Sequence, residues 1–203
     1  MKKLIGLVLV MVSLTAFAVP VHATTAQLES NVDSKIIPIQ DEVKSIESNP
    51  LSIVVDDNTV IYFASEEDMA KYQSGNFAAR NGYGYTTTLE DQKDENMLWI
   101  GYHSYTPGWS KAISYTLGSG KTWTASGSYT YHNINISTGF SYNTSVAITY
   151  PANSAYWSRL GTYGDFTFKY WKNVENYYGM PTGYVYYTVT KTRHNHYTQT
   201  VYQ

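Results

Sequence analysis

Residues 121–150 read KTWTASGSYTYHNINISTGFSYNTSVAITY, and the parity of the large side chains in this stretch decides the fold. Before His132-Asn133 they fall on odd numbers, at Trp123, Tyr129 and Tyr131, with Ala125 and Gly127 between them. After it they fall on even numbers, at Ile134, Ile136, Phe140, Tyr142, Val146, Ile148 and Tyr150. A two-residue loop produces this flip, because residues flanking it pair across an antiparallel ladder and share one face. The implied partners are Tyr131 with Ile134, Tyr129 with Ile136, Ala125 with Phe140 and Trp123 with Tyr142. The turn has no glycine, but Asn and His are among the residues that tolerate positive φ. Arms of about 12–17 residues follow, long against a typical strand of about 5–6.

Outward from this hairpin the same alternation predicts further strands. Met97 to His103 opens the sheet. Trp157 to Trp171 carries Leu160, Phe166, Phe168 and Tyr170 on its even face, broken by Gly161 and Gly164, which suggest bulges or close backbone approach. The stretch Glu175 to Gly183, with Gly179-Met180-Pro181-Thr182-Gly183, is expected to be a turn, followed by strands over Tyr184 to Thr192 and Tyr197 to Tyr202. Toward the N-terminus, Leu28 to Glu47 is polar, weakly amphipathic and interrupted by Pro38. Leu51 to Val55 and Thr59 to Phe63 form a hairpin around Asp56-Asp57-Asn58. Ser65 caps a short helix through Tyr72, with Glu66, Glu67 and Asp68 at its positive end, and Gly75 to Gly84 reads as a linker. The predicted fold is all-β, an antiparallel sandwich or elongated twisted sheet, with a small acidic N-terminal α+β segment.

The chain has 203 residues, of which 43% are hydrophobic, 15% charged and 21 tyrosine, so it is neither a disordered tail nor a coiled coil. Charge divides it. Thr24 to Leu98 holds 14 acidic and 5 basic residues, whereas Trp99 to Gln203 holds 2 acidic and 7 basic. An acidic leader or subdomain over 24–82 and an aromatic-rich β domain over 83–203 are therefore expected. Lys2 and Lys3 precede an apolar run and two small-x-small patterns, Ala16-Phe17-Ala18 and Val21-His22-Ala23, which predict a signal peptide over 1–23, cleavage after Ala23 and an extracellular product. The absence of cysteine excludes a disulfide frame and a lipid-anchored cysteine. A short signal on a cysteine-free exported chain fits a Gram-positive bacterium.

The chemical motifs are weak. Gly118-Ser119-Gly120-Lys121-Thr122 imitates the end of a phosphate-binding loop, but Tyr115 stands where its first glycine is required and no helix pattern follows. His194 and His196 would share a strand face, as a zinc site needs, without a third ligand nearby. A glycosidase needs two carboxylates some 5–10 Å apart, and the body offers only Asp165 and Glu175. No serine elbow, His-Glu-x-x-His or catalytic cysteine occurs. No enzymatic activity, cofactor or metal is expected.

From Asn96 through Gly164 there is no Asp or Glu, and only Lys111, Lys121 and Arg159 are charged. An ordinary surface carries roughly a quarter or more charged residues, so a neighbour other than bulk water is expected: a membrane, or a cell-surface glycan on which Trp and Tyr stack. The candidate binding residues are Trp109, Trp123, Tyr129, Tyr131 and Trp157. A homo-oligomer is compatible with this reading, and no nucleic-acid partner is expected. The Ser/Thr-rich hairpin from Lys121 to Thr149, followed by Tyr150-Pro151-Ala152-Asn153-Ser154 and another strand, resembles the central region of aerolysin-type toxins, the epsilon-toxin and mosquitocidal-toxin group. The resemblance covers about 60 of some 180 mature residues. It implies a hairpin that becomes part of a transmembrane β-barrel, hence a toxin- or bacteriocin-like protein. The other reading is a glycan- or cell-wall-binding module.

Overall fold

Three long antiparallel strands form the frame: β5 (Tyr83–Tyr102), β12 (Ser158–Tyr177) and β13 (Met180–Tyr202). The computed structural model describes residues 36–39, 43–47, 49–78 and 82–203; the expected signal peptide, its cleavage site and the stretch from Leu28 to Lys35 lie outside them. β12 is the middle strand, paired along its length with β13 on one side and β5 on the other. The other edge of β13 is covered by β4 (Thr59–Phe63) and, further along, by β1 (Ile37–Pro38). β3 (Ser52–Val54) completes the expected hairpin with β4. Because β4 is hydrogen-bonded to β13, these strands belong to the main sheet and not to a separate leader.

The segment 114–151 forms a second layer, a ribbon in one continuous register. β6 (Ser114–Leu117) pairs with β11 (Ile148–Pro151), β7 (Thr122–Ala125) with β10 (Phe140–Asn143), and β8 (Ser128–Tyr131) with β9 (Ile134–Ser137). All four expected partnerships are present, and His132 and Asn133 turn the chain at φ 47° and 63°. Between β7 and β8 the ribbon touches β5 so closely that a Cβ on Gly127 would sit 2.1 Å from the Ile100 carbonyl oxygen. β2 (Val43–Ser45) adds a third strand to this layer along β10.

The core lies between the layers. Leu160, Phe166, Phe168 and Val189 of the frame meet Leu117, Ile134, Ile136, Phe140 and Tyr142 of the ribbon, all buried. Each such side chain contributes about 1.5–3 kcal/mol by leaving water. On the opposite face, at the far end of the frame, α1 (Glu66–Ala78) packs through Tyr72 on Phe63. The Ser65 hydroxyl accepts from the Asp68 amide, the expected cap.

Three expectations need correction. The helix continues past Tyr72 to Ala78, so the linker expected over Gly75–Gly84 is mostly helix and strand. β5 begins at Tyr83, not near Met97; its acidic, polar first half is held as strand by pairing with β12, tertiary pairing overriding weak propensity. β13 is one strand, and its turn with β12 is Tyr178-Gly179, both at positive φ.

Candidate functional site

Two bulges in β5 position the exposed aromatics. Trp99 pairs with Tyr163 and Tyr102 with Gly161, so Ile100 is the extra residue; it points into the core while Trp99 and Tyr102 come to one face. That face is the one away from the ribbon. Gly161 is required there, since a Cβ would meet the Trp99 ring at 2.5 Å. Next to it Met97 has φ 53°, and its amide donates to Asp165 Oδ1 at 2.8 Å. Burial pushes the Asp165 carboxyl up, but hydrogen bonds from Tyr197, the Met97 amide and Asn195 outweigh it and hold it below the ordinary range.

The result is a chain of rings in edge contact. Trp99 lies 5.0 Å from Tyr163 and 5.1 Å from Tyr102, and Tyr102 lies 5.6 Å from Trp109. The Arg159 guanidinium stacks 3.7 Å from the Tyr102 ring and 5.8 Å from Trp109. Trp99 and Tyr102 are 41% and 43% exposed, enough for a ligand to reach the rings. Trp157 is exposed nearby in sequence, with Lys111 over its ring at 5.8 Å.

The other candidates do different work. Trp123 is half-buried against His103 and Tyr105. Tyr129 stacks on Phe168 and donates its hydroxyl to Glu95; Tyr131 is buried and donates to Asp91. Thus Trp109 joins the exposed chain and Trp157 is exposed, while Trp123, Tyr129 and Tyr131 hold the ribbon to the frame. Sequence reasoning missed Trp99, Tyr102, Tyr163 and Arg159, because their meeting depends on a bulge that no motif announces.

The ribbon tip is anchored by charge as well as by rings. Lys93 hydrogen-bonds Tyr129 and pairs with Glu95 at 2.7 Å, and these contacts hold the Glu95 carboxyl below its usual range. Asp91 accepts from His132 and Tyr131, which lowers it likewise. Below the tip, Lys191, only 1% exposed, donates to Glu47 at 2.8 Å and to the Ser137 carbonyl at 2.7 Å; Tyr62 donates to the same two partners. Arg193 donates to the Val43 and Asp57 carbonyls and to Asn58.

The expected histidine pair does not converge. His194 is exposed on Thr167, whereas His196 is buried against Phe140 at 4.1 Å, because His194 is the extra, unpaired residue of a bulge. Among the described residues no group of three or more His, Cys, Asp or Glu could hold a metal. Asp165 and Glu175 stand ten positions apart on β12, about 33 Å at the usual rise, too far to act as a pair. At the opposite end of the frame, the turn exposes Tyr178 and Met180 by 74% and 76%. Among the described residues no helix is long and apolar enough to cross a membrane. No protein-family model, curated protein or solved structure matches the chain.

Proposed function

We propose that this is a secreted, non-enzymatic protein that engages a cell surface or membrane, with the ribbon 114–151 as the element that enters a bilayer. One observation carries the reading: the ribbon keeps a single register, with rings and aliphatic side chains on its inner face and Thr116, Thr122, Thr130, Asn135, Asn143 and Thr149 exposed on the other. That division suits a barrel strand with one face to lipid and one to water. Each arm, Ser114 to Tyr131 and Ile134 to Pro151, exceeds the roughly 9–11 residues a strand needs to cross. The aerolysin-type resemblance supports the same reading.

The test is release of dye from phosphatidylcholine–phosphatidylglycerol vesicles. Lys44 and Ser141 face each other across β2 and β10; opposed residues of an antiparallel ladder lie about 4.5–5.5 Å apart, within the span of a disulfide. A Lys44→Cys/Ser141→Cys variant should therefore be silent when oxidised and release dye when reduced. Leakage equal in both states, or none from the wild-type protein, would remove the ribbon from the mechanism. A second reading, a glycan-binding module, is favoured by the exposed chain Trp99, Tyr102 and Trp109.

A further inference from the structure

Arg159 is a cation without a carboxylate. It lies in the acid-free stretch from Asn96 to Gly164, and among the described residues it makes no ion pair. Its Nε is buried with no hydrogen-bond partner. An arginine in a fold normally finds an acceptor for its planar fork; here the contacts are the Tyr102 and Trp109 rings, and no carboxylate faces it. Arg193 of β13, by contrast, spends its terminal nitrogens on the Ser45 hydroxyl, the Val43 and Asp57 carbonyls and Asn58.

The surroundings specify what would complete it. Trp99 and Tyr102 present partly exposed rings beside the guanidinium, of the kind on which the C–H face of a pyranose packs. A stacked arginine offers two parallel N–H donors to a planar anion, and weak hydration of the guanidinium makes that exchange favourable. A neutral sugar would use the rings and leave the cation unmatched.

We propose that Trp99, Tyr102, Trp109 and Arg159 form a binding site for an acidic saccharide, with a sugar ring against the aromatics and its carboxylate, sulfate or phosphate on Arg159. The inference rests on the cell-surface reading and is independent of the ribbon: it concerns adhesion, whereas dye release reports insertion.

The experiment titrates the full mature chain with three acidic probes, an oligogalacturonate, a heparin-derived oligosaccharide and a phosphorylated oligomannoside, each beside a neutral counterpart. Binding is followed by calorimetry and tryptophan fluorescence. At least one acidic probe should bind ten-fold or more tightly than its counterpart, and Arg159→Gln should abolish that preference while the near-ultraviolet circular dichroism stays native. Arg159→Lys keeps the charge but loses the fork, and should recover only part of it. Lys169→Gln, the same charge removed from elsewhere on β12, should bind within two-fold of wild type. Equal binding of acidic and neutral probes, an Arg159→Gln protein of unchanged affinity, or a Lys169→Gln loss as large as that of Arg159→Gln would each overturn the proposal. So would binding to phosphatidylglycerol vesicles alone, which would assign the site to a lipid headgroup.

Discussion

Two histidines under the ribbon make its packing sensitive to acid. His103 donates or accepts at Tyr142, 2.7 Å away, and burial pushes its pKa down to about 4. His196 lies on Phe140 with Nε2 unpartnered; burial, then Arg193, pushes it down to about 3. Both folded values lie below the ordinary 6.5, so the unfolded chain binds more protons across that window and stability rises with pH there. Their contribution is complete above about pH 6.5 and is lost as pH falls toward 4 and then 3, by up to about 1.4 kcal/mol per pH unit for each histidine. The depressed carboxylates Asp91, Glu95 and Asp165 act in the same direction, but below the unfolded carboxylate range of about 4–4.5. Urea melts between pH 6.5 and 5 therefore isolate the histidines. His196→Phe should remove part of the slope while costing little at pH 7.5, since no hydrogen bond to Nε2 is lost; an unchanged slope would refute the burial argument. Across the ribbon, Ala125 is buried opposite Phe140, so Ala125→Trp should cost about 1–3 kcal/mol by overpacking, measured by the same melts.

At the scale of elements, β2 and the following residues act as a strap over the ribbon. Ser137 donates to the Ile46 carbonyl, Asn49 donates to the Asn135 carbonyl, and Glu47 meets buried Lys191. Removing one member of a buried pair strands the other charge, so Glu47→Ala should cost about 3–5 kcal/mol, while Glu47→Leu/Lys191→Met should recover most of it. Chemical denaturation of the two variants decides this; equal losses would mean that Lys191 finds water when its partner is gone. None of this strap was legible in the sequence, where Leu28 to Glu47 is only polar and weakly amphipathic, because long-range pairing leaves no local period. The ribbon was legible down to its register, since a two-residue turn imposes a parity flip on the large side chains. β5 was half legible: Leu98 and Ile100 alternate as a strand should, but Glu90, Asp91, Asp94 and Glu95 look like a solvated loop. Asp91 and Glu95 are where they are because the tyrosine hydroxyls of the ribbon tip need acceptors. Of the candidate site, composition pointed to the aromatics, but only the bulge at Ile100 selects which of them share a face.

At the scale of the whole molecule, the charge boundary near residue 83 is not a structural boundary. The acidic segment supplies β4, whose Val60, Tyr62 and Phe63 are buried, and its carboxylate and carbonyl groups hold the two most buried cations of the basic body. A chain beginning at Tyr83 would leave one edge of β13 uncovered, expose the face that α1 protects, and strip Val60, Tyr62 and Glu47 from around Lys191. Val60, Tyr62 and Phe63 alone bury side chains worth about 1.5–3 kcal/mol each, a large share of the roughly 5–15 kcal/mol by which domains are stable, and an open edge on a 23-residue strand invites association with another chain. The 83–203 fragment should therefore be aggregated or molten, with far-ultraviolet β signal but no sharp near-ultraviolet bands and a broad sedimentation profile, whereas a chain beginning at Thr24 should be monodisperse with a cooperative melt. A fragment from Tyr83 that sediments as one species and unfolds cooperatively would show instead that the sheet is complete without β4 and that the acidic segment is an accessory to it.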